Sequence, residues 1–171
     1  MITHRPAEKR DLETIMQLIA RARAFIASQG IDQWQDGYPE RELIENDMET
    51  GIGVVFLDNE AICGYIALMD EPEPVYDELD GKWLSGAPYA TVHRMAIDDG
   101  WRGRGVSTAM LSYAEEYARM RGLSSVRADT HRGNKAMGGL LRKSGYTYCG
   151  DVRYEVSAGD PVRVAYEKII K

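Results

Sequence analysis

Two arginines alternate with two glycines at Arg102-Gly103-Arg104-Gly105, inside the stretch from Val92 to Thr108 that joins an apolar strand pattern to an amphipathic helix pattern. Main-chain N–H groups at a strand-to-helix junction lack intrahelical partners, and the helix dipole adds about half a positive charge there. The junction is therefore suited to an anion, and a phosphate-bearing ligand is the first expectation. Glycine belongs at such a turn because a Cβ would keep a ligand oxygen away from the main chain. ATP and NAD fit less well. No Gly-Lys-Ser or Gly-Lys-Thr follows the glycines, and the third glycine of the dinucleotide fingerprint is missing.

The elements that must hold this turn are legible from periodicity. Ile2–Arg5 can form a short strand, and Leu12, Ile15, Ile19, Ala22 and Ile26 then recur at helical spacing as far as Gly30. A shorter helix is expected over Arg41–Met48, after Pro39 and before Gly51. Val54–Leu57 and Ile62–Leu68 flank a polar turn and predict a hairpin. Asp70 to Pro88 is acidic and rich in Pro and Gly, which predicts an irregular connection; its Glu71 and Glu73 could attract an amine, though solvated carboxylates are the expectation. Tyr89–Ile97 reads as a strand, and Val106 to Met120 as a helix ended by Gly122. Ser125–Thr130 and Tyr146–Cys149 read as strands around a helix at Lys135–Lys143, and Val162–Ile170 as the last strand.

This order predicts one α/β domain spanning residues 1–171, with a mixed, mostly antiparallel sheet of about seven strands flanked by helices. The 171 residues are 44% hydrophobic and 28% charged, which excludes disorder as the main state. A net charge of −6 argues against nucleic-acid binding and suits a cationic acceptor. Cys63 and Cys149 are far apart and there is no histidine cluster, so neither a disulfide framework nor a metal is expected. No membrane span or signal peptide is apparent, and a cytoplasmic location is expected.

The RGRGVS element and its flanks, His93–Asp98, Asp129–Met137 and Leu140–Tyr146, resemble the GNAT superfamily of N-acyltransferases in order and spacing over almost the whole chain. Arg102, Gly105 and Ser107 fall on the defined positions of that family's acyl-CoA signature, with Ser107 where Gly or Ala is usual. The resemblance implies a sheet whose central parallel strands splay apart, and acetyl-CoA as cosubstrate. It places the CoA pyrophosphate on the amides of Gly103, Arg104, Gly105, Val106, Ser107 and Thr108, with Arg102 or Arg104 adding a charge-assisted contact. It sets the main chain of Met95, Ala96 and Ile97 along the pantetheine arm, and an amide there would polarise the thioester carbonyl. Asn134 is brought to the same arm, and a helix N-cap role is compatible with that.

Direct attack by an amine in a ternary complex is the implied reaction, since no cysteine lies at the motif to carry the acetyl group. An alkylamine is mostly protonated near neutral pH, so a base is needed, and His93 and Asp129 are the candidates. Many family members place a tyrosine acid where this chain has Leu141; Tyr146, a water, or no acid at all can take its place. Gln33, Trp34 and Tyr38 fall where the family binds its acceptor, a small-molecule or peptide amine. Leu141 leaves a non-catalytic acyl-CoA-binding module as the alternative function. Family habit implies a homodimer, for which the sequence has no decisive mark.

Overall fold

The computed structural model describes residues 1–86 and 88–171. The strands are β1 (Ile2–Pro6), β2 (Gly53–Asp58), β3 (Ala61–Met69), β4 (Asp80–Gly81), β5 (Tyr89–Ile97), β6 (Ser125–His131), β7 (Thr147–Arg153) and β8 (Val162–Ile169). The helices are α1 (Leu12–Ser28), α2 (Arg41–Glu49), α3 (Val106–Met120) and α4 (Lys135–Lys143). One sheet holds all eight strands in the order β1-β2-β3-β5-β6-β8-β7-β4. Every neighbouring pair is antiparallel except β5 and β6.

The eighth strand, absent from the sequence reading, is the two-residue β4. It pairs with β7 through Gly81 and Gly150, whose backbones approach so closely that a Cβ on Gly81 would stand 2.1 Å from the Cys149 carbonyl oxygen. Two residues carry no periodicity, so only this contact defines the strand.

The helices divide between the two faces because their apolar stripes match alternate strand residues. Val126 and Ala128 of β6 pack in one buried cluster with Met110, Leu111 and Ala114 of α3 and Leu141 of α4. On the other face Ile15, Leu18 and Ile19 of α1 meet Ile44 of α2 and Val55 and Tyr65 of the sheet. Each such fully buried aliphatic side chain contributes about 1.5–3 kcal/mol of transfer free energy.

Two irregularities shape the middle of the sheet. The parallel pairing consists of Tyr89 with Ser125, Ala90 with Val126 and Thr91 with Arg127, although β5 continues to Ile97 and β6 to His131. The strands therefore splay beyond Thr91 and Arg127. In β5, His93 faces Ala67 while Ala96 faces Tyr65, three residues against two, and Arg94 takes up the extra residue with φ +55. This β-bulge redirects Arg94 away from the alternation of its neighbours.

The 70–88 connection is more ordered than its composition suggests; Ala87 lies outside the described residues. A 3₁₀ turn at Pro74–Glu78 buries Tyr76 to 1% exposure beside Tyr89, Val152 and Ala165. The end of the connection is fastened to fully buried Glu167, which accepts from Ser85 Oγ at 2.6 Å and from Arg127 Nε at 3.0 Å. Arg127 lies between the rings of Trp83 and Tyr89, 4.0 and 3.8 Å from their centroids. Apolar and hydrogen-bonded anchors hold the segment across the sheet, so its acidic residues are not all turned to water.

Candidate active site

At the start of α3, Gly103 and Gly105 have φ +75 and +83, the left-handed region that favours glycine. The N–H groups of Gly103, Gly105, Val106, Ser107 and Thr108 have no hydrogen-bond partner among the described residues. Val106 turns its side chain into the core at 1% exposure and offers only its amide. Arg102 is fixed beside the turn: its Nε donates to Asp99 at 2.7 Å and its guanidinium stacks on Phe25, 3.8 Å from the ring centroid. Arg104 is exposed. Five unpaired amides next to two guanidinium groups fit a diphosphate in charge and in hydrogen-bond donors.

A cavity of about 480 Å³ opens at the splay. His93 and Asp129 both line it, each two residues past the end of the β5–β6 pairing, so the alternation of β5 and β6 puts both on the face opposite α3. His93 Nε2 lies 2.9 Å from Glu73 Oε2, with both side chains mostly buried. The bond to His93 holds the Glu73 carboxyl below the usual glutamate range against the opposing effect of burial. Ionised Glu73 can only accept, so Nε2 is the donor in this bond, and in the neutral imidazole the lone pair lies on Nδ1.

Asp129 Oδ2 accepts from Tyr76 Oη at 2.7 Å and from Tyr154 Oη at 2.8 Å. Burial first, then the Asp129 charge, push both phenols well above their ordinary pKa, so they remain neutral donors. Asp129 Oδ1 has no partner and the carboxylate no ion pair among the described residues.

The other expected residues divide clearly. Gln33, Trp34, Tyr38, Met95 and Asn134 line the cavity. Asn134 also caps α4, its Oδ1 accepting from the Met137 amide at 3.1 Å. Ala96 is buried in the cluster under α1, and Ile97 packs against the cluster under α3. Tyr146 is not brought to the cavity. It is 3% exposed in the cluster under α3, burial raises its pKa strongly, and its hydroxyl has no hydrogen-bond partner among the described residues. That placement removes Tyr146 from the candidate acids, and Leu141 is fully buried in the same cluster.

Sequence reasoning missed Glu73 as a cavity residue, both tyrosines on Asp129, and a buried ion pair beneath Tyr38. In that pair, Arg94 donates through Nε and Nη2 to Asp47 at 2.8 and 2.7 Å, and through Nη1 to Tyr38 Oη at 3.0 Å. Tyr65 completes the Asp47 shell at 2.7 Å. Glu73 had a signal in its acidic loop, whereas Tyr154 and the bulged Arg94 had none. No group of three or more His, Cys, Asp or Glu side chains among the described residues is placed to hold a metal ion. Within the same limits, no helix is long and apolar enough to cross a membrane.

A mixed open sheet split at its parallel pair, with an anion-ready turn beside the split and a polar cavity at its mouth, defines an acetyltransferase-type fold. The profile of the acetyltransferase (GNAT) family matches residues 13–146. A GNAT-family acetyltransferase from Streptococcus agalactiae 2603 superposes with a TM-score of 0.89 at 39% identity, over 99% of this chain and 96% of that one. The PaiA N-acetyltransferase of Thermoplasma acidophilum, solved with coenzyme A, has the same fold, with a TM-score of 0.72 at 17% identity over 99% of both chains. Among curated proteins, the uncharacterized N-acetyltransferase YesJ of Bacillus subtilis (strain 168) is 24% identical over 149 residues, 85% of this chain and 81% of the relative. The chain belongs to the GNAT acetyltransferase family.

Proposed function

We propose that this protein transfers an acetyl group from acetyl-CoA to the amine of a small molecule by direct attack in a ternary complex. The observation that carries this reading is the placement of His93 and Asp129 on either side of the splay, with a pocket for an acceptor in front of them. When bound, acetyl-CoA supplies the activated acyl group as a thioester. The amides of Gly103–Thr108, with Arg102 and Arg104, hold its pyrophosphate, and the β6-facing main chain of Met95–Ile97 runs along its arm.

Asp129 Oδ1 takes the acceptor ammonium and orients it. His93 Nδ1 receives the proton that the amine must lose before it can attack, and ionised Glu73 stabilises the resulting imidazolium. No phenol of this chain needs to serve as acid, because a thiolate with a thiol's pKa of about 8.5 is a tolerable leaving group near neutral pH. Direct attack is further supported by the cysteines: Cys63 and Cys149 are buried and neither lines the cavity.

The test follows free thiol while the protein is incubated with acetyl-CoA and a broad amine panel. Acceptor-dependent release that falls with His93→Gln supports the enzyme. The second reading, a non-catalytic acyl-CoA-binding module, is favoured by Leu141 at the usual acid position; tight CoA binding with no release for any amine would establish it.

A further inference from the structure

Three arginines of this sheet are buried to a similar degree, and two have an acid partner. The Arg94 side chain, 8% exposed, forms the bidentate pair with Asp47, and that of Arg127, 5% exposed, pairs with Glu167. Arg163 on β8 is 8% exposed and forms no ion pair among the described residues. Its Nη1 donates to the main-chain oxygens of Asp160 and Val162 at 2.6 and 2.9 Å, while Nε and Nη2 have no partner among the described residues. The nearby Asp160 carboxylate is already occupied by Arg132 and by the Val162 amide. Arg163 lines an open cavity, so its unpartnered guanidinium edge offers a ligand anion two parallel donors.

Arg163 lines the same cavity as Asp129. The register sets them side by side: Asp129 pairs with Ala165 and His131 with Arg163, so Asp129 and Arg163 are diagonal neighbours on one sheet face. Diagonal Cβ atoms lie roughly 7–8 Å apart, close enough for one small molecule to reach both side chains. Asp129 and Arg163 thus face the pocket as an acid and a cation without ion-pair partners among the described residues, while Asp36 and Glu155, the other unpaired acids of the lining, are exposed. A simple alkylamine or polyamine would satisfy Asp129 and leave Arg163 bare; a plain anion would do the reverse.

We infer that the acceptor is an amino-carboxylate, an amine with a carboxylate a few bonds away, whose carboxylate is taken by Arg163 Nε and Nη2 while its amine lies at Asp129 and His93. This rests on the acetyl-transfer reading for the role of the amine, though the carboxylate subsite stands on Arg163 itself. The planar edge formed by Nε and Nη2 matches a carboxylate in two parallel hydrogen bonds, which a neutral carboxamide cannot reproduce.

The experiment compares each of the twenty standard amino acids with its carboxamide and its decarboxylated amine. Thiol release is measured with acetyl-CoA, and binding to the CoA-loaded protein by calorimetry. At least one amino acid is expected to exceed its carboxamide by about 10–100-fold in kcat/KM and in affinity, and Arg163→Met to abolish that preference mainly through KM. Carboxamides used as well as acids, a preference that survives Arg163→Met, or no binding of any amino acid would overturn the inference. Arg163→Lys, expected to retain part of the preference, serves if the Met variant does not fold; the acid-to-amide ratio of the unmutated protein decides independently. If no compound releases thiol but an amino acid binds through Arg163, the transfer reading fails and the carboxylate subsite stands.

Discussion

Glu73→Gln isolates the charge of the carboxylate behind the proposed base. Glutamine keeps the length, and its amide oxygen still accepts from His93 Nε2, so the imidazole stays in place and in the same tautomer. What disappears is the attraction between the carboxylate and the imidazolium that forms as His93 accepts a proton. Two unit charges roughly 4 Å apart at an effective dielectric of about 20 attract by about 4 kcal/mol. The side chains are 13% and 18% exposed, so solvent screens part of this, and about 2 kcal/mol is a reasonable residue, equal to roughly 30-fold in kcat. Steady-state thiol release should show that fall with KM for acetyl-CoA unchanged, because Glu73 belongs to the acceptor side of the splay. In a His93→Gln background the same substitution should add almost nothing, since the charge it stabilises no longer forms. A kcat within about twofold of the unmutated enzyme, or an equal loss in the His93→Gln background, would refute the relay from Glu73 through His93.

Gly105→Ala forces a Cβ into φ +83 although nothing lies within 4 Å of it, so the cost is backbone strain of about 1–2 kcal/mol in urea unfolding. A rise in KM for acetyl-CoA should accompany it. Asp47→Asn leaves the Arg94 guanidinium buried without its counter-charge and should cost about 3–5 kcal/mol by the same unfolding measurement. Asp11 accepts Arg5 Nη1 and Nη2 at 2.6 and 2.9 Å, and the Arg5 bond holds its carboxyl below the ordinary aspartate range. A lowered folded pKa stabilises above the unfolded value of about 3.9 and is lost as pH falls through the folded value, so the Tm gap to Asp11→Asn should be full at pH 7 and close in strong acid.

Much of the fold was legible because local signals agreed. Helical spacing from Leu12 to Ile26 and from Val106 to Met120 marked α1 and α3, and glycines marked the turn between β5 and α3. Gln33, Trp34, Tyr38, His93, Asp129 and Asn134, each singled out in the sequence, line one cavity. Tyr146 illustrates the limit. Its type suited an acid, but the turn between α4 and β7 places it under α3 in the core.

The amino-acid sequence by itself determined the four α-helices and the seven longer strands, where the anion-ready turn lies, and the family to which the chain belongs. These are properties of periodicity and of residues adjacent in the chain. Tertiary structure alone decided the charges of the pocket: Glu73 reaches His93 across 20 residues, Tyr76 and Tyr154 reach Asp129 from opposite sides in sequence, and Arg94 reaches Asp47 through a bulge. Strand register and a one-residue bulge set those meetings. Both depend on packing between distant segments, so no local pattern encodes which carboxylate finds a partner and which cation, like Arg163, is left without one.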